Sequence, residues 1–150
     1  MDTRWQHPFS AILAGPSNCG KSFFIKNMLD NAHNVFSVMP ENIVWCYGCW
    51  QPLYKSLMCK YPFIQFAAGL PKKFDDNDLL PPNKVNFLAI DDLMHSVSEN
   101  SEAEKVFTQY VHHRNLSYFF ITQNIFCKGK NNRTISLNAK YMVLFKNPRD

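Results

Sequence analysis

The sequence predicts an α/β fold, a five-stranded, mostly parallel sheet with helices on both faces, and three observations lead there. Apolar runs of strand length alternate with stretches of helical period. Several of those runs are apolar almost throughout. A phosphate-binding loop joins the first strand to the first helix. Strands that are apolar on both faces must be covered on both faces, which is the condition of a parallel sheet between helical layers.

The first strand is Phe9-Ser-Ala-Ile-Leu-Ala14, and it runs directly into Gly15-Pro-Ser-Asn-Cys-Gly-Lys-Ser22, a complete G-x-x-x-x-G-K-[ST] loop. Lys21 to His33 is expected to be helical, with Phe24/Met28 and Ile25/Leu29 at i, i+4. Asn42-Ile-Val-Trp-Cys-Tyr47 is the second strand, Pro52 to Lys60 a short helix, and Phe63-Ile-Gln-Phe66 a further extended piece. Asp75 to Pro82 is polar and ends in Pro-Pro, so it is expected to be a mobile loop. Val85-Asn-Phe-Leu-Ala-Ile90 is the third strand and ends in Asp91-Asp92. Ser101-Glu-Ala-Glu104 has the capping-box pattern, and Ala103, Val106, Phe107, Tyr110 and Val111 share one face, which predicts a helix to about His113. Ser117 to Thr122 and Tyr141 to Phe145 complete the strands.

One hundred and fifty residues suit a single domain, 1–150, with no repeat, low-complexity tract or linker dividing it. With 46% hydrophobic and 19% charged residues the chain is globular rather than disordered. No apolar run approaches the roughly 18 residues of a membrane span, so no membrane partner is expected. Five cysteines in no repeating frame fit a reducing compartment. Cys46-Tyr-Gly-Cys49 has no second ligand pair at finger-like spacing, which disfavours zinc. His112 and His113 suit a helix end better than a metal. The net charge of +4 is mild, but Lys128, Lys130, Arg133, Lys140, Lys146 and Arg149 make the last quarter basic. That stretch is either a solvated loop or a phosphate-contacting surface.

The chemistry begins at the loop. Gly15, Pro16, Ser17, Asn18, Cys19, Gly20, Lys21 and Ser22 are the expected nucleotide-binding residues. Glycine lets main-chain N–H groups curl around phosphate, and the following helix adds its positive end. Lys21 is expected to reach the β- and γ-phosphates and Ser22 to ligate Mg²⁺. Asp91 and Asp92 stand at the carboxyl end of a buried strand, where such sheets bind ligands. Asp91 is expected to hold Mg²⁺ through its water shell and Asp92 to orient or deprotonate the attacking water. Gln123, after the Ser117–Thr122 strand, emerges near the γ-phosphate if that strand lies between the loop strand and the Asp91 strand. Arg114 is the first candidate for a cation supplied to a neighbouring subunit, and Arg149 the second.

Together, Gly15–Ser22, Ile90-Asp-Asp92, His112-His-Arg-Asn-Leu-Ser-Tyr-Phe-Phe-Ile-Thr-Gln-Asn-Ile-Phe126 and Arg133–Asp150 resemble the FtsK/HerA-type genome-packaging ATPases. The flavour is that of Polinton/Maverick elements, adintoviruses and related large double-stranded DNA viruses. The resemblance implies a RecA-like ASCE P-loop NTPase fold, ATP and Mg²⁺ as cofactors, and a homo-oligomeric ring, often a hexamer. It further implies a motor that drives double-stranded DNA into a capsid, with capsid or portal-like partners at intracellular assembly sites of the host. Two features depart from the pattern. Many ASCE enzymes carry Glu where Asp92 stands, and relatives usually continue past the last strand, so C-terminal elements of a longer protein are expected to be missing. A nucleotide or small-molecule kinase, and a nucleotide-binding remnant without turnover, remain alternative readings of the same loop.

Overall fold

The computed structural model describes residues 1–100, 102–111, 114–124 and 130–146, leaving out the side chains of 104, 110 and 130–132. The expectations on His112, His113, Lys128 and Arg149 lie outside the described residues, as does that on the side chain of Lys130.

The strands are β1 (Ser10–Ala14), β2 (Asn42–Tyr47), β3 (Ile64–Ala68), β4 (Asn86–Asp91), β5 (Leu116–Thr122) and β6 (Tyr141–Leu144). They form one six-stranded sheet in the order β3-β2-β4-β5-β1-β6, every neighbouring pair parallel. The strand count is therefore six rather than five. The extended piece at Phe63–Phe66 belongs to β3, which among the described residues is an edge strand paired with β2 alone and needs no continuous apolar run. β5 does lie between β1 and β4, so the carboxyl ends of the loop strand, the acid strand and the Gln123 strand stand side by side.

Alternation along the strands sorts the core into two layers. Ala11, Leu13, Phe87, Ala89, Phe119 and Ile121 face one side. There they meet Ile25, Met28 and Leu29 of α1 (Lys21–Asp30) and Tyr54 and Leu57 of α3 (Pro52–Lys60). Phe9, Phe36, Phe87 and Phe119 pack edge-on and offset in this layer, with ring centroids 4.9–6.3 Å apart. Ile12, Leu88, Ile90, Tyr118 and Phe120 face the other side. Their partners are Val97 of α4 (Met94–Glu99), Val106 and Phe107 after α5 (Ala103–Lys105), and Ile135 of α6 (Lys130–Asn138).

The helices differ from expectation in four places. α1 ends at Asp30 because Asn31 leaves helical geometry, and the chain re-enters a short α2 (Ala32–Val35). The helix expected over 101–113 is α5 followed by a π-helical turn, Val106–Tyr110, which keeps Val106, Phe107 and Val111 buried. α4 carries one buried side chain, Val97, and α6 has Ile135 in a polar stretch, so neither shows an apolar stripe in sequence. Part of the basic last quarter is thus helix rather than loop. The Asp75–Pro82 segment is irregular as expected, but Phe74 and Leu80 are fully buried at its ends.

Candidate functional site

The Gly15–Ser22 loop leaves β1 held on both sides. The Gly15 N–H donates to Thr122 O of β5 at 3.2 Å, and the Phe145 N–H donates to Ala14 O at 2.8 Å. Asn18 (φ 61) and Gly20 (φ 96) take left-handed conformations, the local reversals that curl successive N–H groups toward one point. Asparagine tolerates this conformation and glycine adopts it freely. The Lys21 ammonium folds back along the loop, donating to Gly15 O at 2.6 Å and Pro16 O at 2.9 Å.

Asp91 is the last residue of β4 and shares the parity of Phe87 and Ala89, so its carboxylate points to the α1/α3 face. It is only 3% exposed. Three side chains donate to the same oxygen, Oδ2: Ser22 Oγ at 2.8 Å, Tyr54 Oη at 2.5 Å and Trp45 Nε1 at 3.4 Å. Burial, and then the charge of Asp91, hold the Tyr54 hydroxyl far above its ordinary pKa, so it stays a donor. Asp92 sits just beyond the strand at φ 59, its N–H donating to Ile121 O at 3.2 Å. Gly48, after β2, supports that turn: its N–H donates to Asp91 O at 3.0 Å. A Cβ on Gly48 would stand 2.6 Å from Asp92 O, so only glycine fits there.

Lys21, Ser22, Asp91, Asp92 and Gln123 all line one cavity of about 520 Å³, together with loop residues Ser17–Gly20 and the β2–α3 turn at Cys49 and Gln51. That volume lies in the range of small-molecule sites. A smaller recess of about 200 Å³ continues from Asp92 and Gln123 to His95. The donors converging at Ser22 and Asp91 are hard oxygens, the chemistry that suits Mg²⁺, which keeps most of its waters and asks for few protein ligands. Among the described residues no cluster of three or more His, Cys, Asp and Glu side chains forms a softer metal site.

The fold is similar to those of solved structures. The genome packaging NTPase B204 of Sulfolobus turreted icosahedral virus 2, in complex with sulfate, matches with a TM-score of 0.61 at 14% identity, over 93% of this chain and 75% of that one. The same NTPase in complex with ATP-gammaS matches with a TM-score of 0.61 at 13% identity, over 95% and 78%. The HORMA:CdnC:Trip13 complex of E. coli MS115-1 matches with a TM-score of 0.50 at 11% identity, the aligned part spanning 46% of that chain. No family model and no curated protein matches the sequence. The chain has the fold of a P-loop NTPase.

Within this NTPase fold Arg114 stands apart from the cavity. It precedes β5, whose seven residues separate it from Gln123 by about 20 Å of strand. Its guanidinium donates to Asn77 Oδ1 at 2.6 Å, Asp75 O at 2.6 Å and Leu80 O at 3.3 Å, tying down the loop expected to be mobile. Cys46 is buried in β2 and burial pushes its thiol up to about 12, which opposes a thiolate ligand. Cys49 is exposed and lies at the cavity wall. Sequence reasoning passed over Tyr54, Trp45 and Gly48. Trp45 lies within the expected second strand, Tyr54 within the expected 52–60 helix, and Gly48 within the Cys-x-x-Cys, none with a signal of its own. Their roles rest on contacts between residues more than thirty positions apart.

Proposed function

We propose that this protein is an ATP-hydrolysing motor that translocates double-stranded DNA, acting as a homo-oligomeric ring in packaging a viral or viral-like genome. The observation that carries the reading is the convergence of Lys21, Ser22, Asp91, Asp92 and Gln123 on one cavity at the carboxyl end of the sheet. The fold likeness to a viral genome packaging NTPase supports it. So does the resemblance of the Gly15–Ser22, Ile90–Asp92 and His112–Phe126 segments to FtsK/HerA-type packaging ATPases.

Each residue has a role set by its chemistry. The curled loop, Gly15 to Ser22, cradles the phosphate chain with main-chain N–H groups, and Lys21 exchanges its carbonyl partners for phosphoryl oxygens. Ser22 and Asp91 would hold Mg²⁺, which when bound neutralises charge on the β- and γ-phosphates. Asp92 orients the attacking water and accepts its proton. Gln123, exposed at the cavity rim, senses the γ-phosphate or positions that water. Arg114 is too far from its own loop to reach the nucleotide there, so its proposed role is on a neighbouring subunit's nucleotide, for which it must leave the Asp75–Leu80 segment. On this reading the protein works at assembly sites in the host cytoplasm or nucleus, beside capsid or portal-like proteins.

The test is ATP turnover by assembled protein at low salt, with and without double-stranded DNA. Stimulation by DNA that falls steeply as salt rises is expected, since phosphate contacts release counterions. Turnover unmoved by any DNA refutes the motor. Mass measurement with DNA and an ATP analogue reads the ring directly, and a monomer under those conditions refutes assembly.

A further inference from the structure

Building on the proposed nucleotide site, we infer that Tyr54 is a positioning residue for Asp91. Its hydroxyl commits Oδ2 to the protein and so presents Oδ1 to the water shell of the metal. The tyrosine lies 37 residues from the acid in sequence, on a helix that contributes nothing to the phosphate-loop pattern.

The geometry is unequal among the three donors on Oδ2. Ser22, at 2.8 Å, is the residue the loop motif assigns to the metal, and its hydroxyl can donate its one proton to Asp91 while a lone pair of the same oxygen faces the cation, so its position answers to the loop as well as to the acid. Trp45, at 3.4 Å, is a long contact. Tyr54, at 2.5 Å, makes the shortest of the three bonds and stands outside the loop motif. None of the three falls on Oδ1. A carboxylate held through one oxygen cannot rotate freely, and its other oxygen keeps a defined direction.

Packing fixes where the hydroxyl points. The Tyr54 side chain is fully buried, and its ring meets Trp45, Tyr47, Trp50 and Phe66 at centroid distances of 5.0–5.5 Å. The helices that carry Tyr54 and Ser22 are also joined at their far ends. There Asp30 of α1 accepts from Lys60 Nζ at 2.7 Å and from the Tyr61 hydroxyl. The metal-facing serine and the acid's clamp therefore ride on one connected pair of helices, α1 and α3.

Tyr54→Phe keeps the ring and deletes only the hydroxyl. The probe is Mn²⁺ titrated into the full chain saturated with a slowly hydrolysed ATP analogue, with free Mn²⁺ read by electron paramagnetic resonance. ATP binding in EDTA is measured alongside. The expected result is Mn²⁺ affinity weakened about tenfold, as for loss of an outer-shell partner, with metal-free ATP affinity within about twofold of the parent. In an Asp91→Asn background the same substitution is expected to change Mn²⁺ affinity no further, because the clamp has lost the carboxylate it acts on. Unchanged Mn²⁺ affinity in folded Tyr54→Phe overturns the inference, and so does an equal drop in the Asp91→Asn background. Trp45→Phe removes the long contact, leaves the Tyr54 bond in place and serves where Tyr54→Phe does not fold. Because the Tyr54 bond remains, a loss of Mn²⁺ affinity of less than about tenfold there supports the clamp, and a loss of about tenfold or more overturns its assignment to Tyr54. If the parent protein takes up neither analogue nor Mn²⁺, the nucleotide reading itself falls, a result distinct from parent binding that the tyrosine does not affect.

Discussion

Lys21→Ala tests the proposed phosphate cradle most directly, because the structure gives what the ammonium gives up and elementary electrostatics what it would gain. A unit charge about 3 Å from a phosphoryl oxygen, at an effective dielectric near 20, is attracted by roughly 5.5 kcal/mol. Against that, Lys21 releases two charge-assisted bonds, to Gly15 O at 2.6 Å and Pro16 O at 2.9 Å. At about 1.5 kcal/mol each these offset roughly 3 kcal/mol. The net is about 2.5 kcal/mol, a weakening of ATP binding on the order of 50- to 100-fold. The fold should survive, since Lys21 is half-buried beside an open cavity and water replaces it at the two carbonyls. A stability loss near 1 kcal/mol corresponds to a melting shift of about 2–4 °C at this chain length. Titration calorimetry with ATP reads the first number and thermal unfolding the second. ATP affinity within threefold of the parent, in a protein that melts normally, would refute the assignment of the loop.

Other substitutions probe separate parts of the site. Asp92→Asn should leave ATP binding and stability intact, since asparagine also accepts the left-handed φ of 59, while single-turnover hydrolysis falls by about 10²-fold or more. Equal rates would mean no chemistry at that position. Gly48→Ala places a Cβ 2.6 Å from Asp92 O, a main-chain atom that cannot swing aside, so a stability loss of about 1–3 kcal/mol and a drop in turnover are expected. A melting temperature equal to the parent's would contradict that crowding. Lys26, Lys60 and Tyr61 hold the Asp30 carboxyl well below the usual carboxylate range. Its folded pKa lies under its unfolded one, so the stability it adds is present at neutral pH and is lost as pH falls below about 4. Asp30→Asn should thus be less stable than the parent at pH 7, by about 1 kcal/mol for a partly exposed cluster, and the gap should close near pH 2 in thermal melts. A gap that persists in acid would show that packing, not charge, joins α1 to α3.

The sequence by itself determined the local machinery. Gly15–Ser22 is contiguous, its chemistry resides in neighbouring residues, and the apolar run before it and the helical period after it are short-range patterns. The acid pair and Gln123 were legible for the same reason, since each ends an apolar strand and parallel strands bring their carboxyl ends to one edge. What only the tertiary structure decided is the company those residues keep. Pairing of β2 with β4 and burial of α3 bring Trp45 and Tyr54 onto Asp91 Oδ2, and the β2–α3 turn sets Gly48 against Asp92. α4 and α6 stayed hidden in sequence, and β3 was legible only as an extended piece outside the five strands, because an edge strand, or a helix with one buried side chain, needs little apolar pattern of its own. The physical reason is common to all of these. Hydrogen bonds and close approaches between distant segments depend on register and packing, which no short window of residues contains.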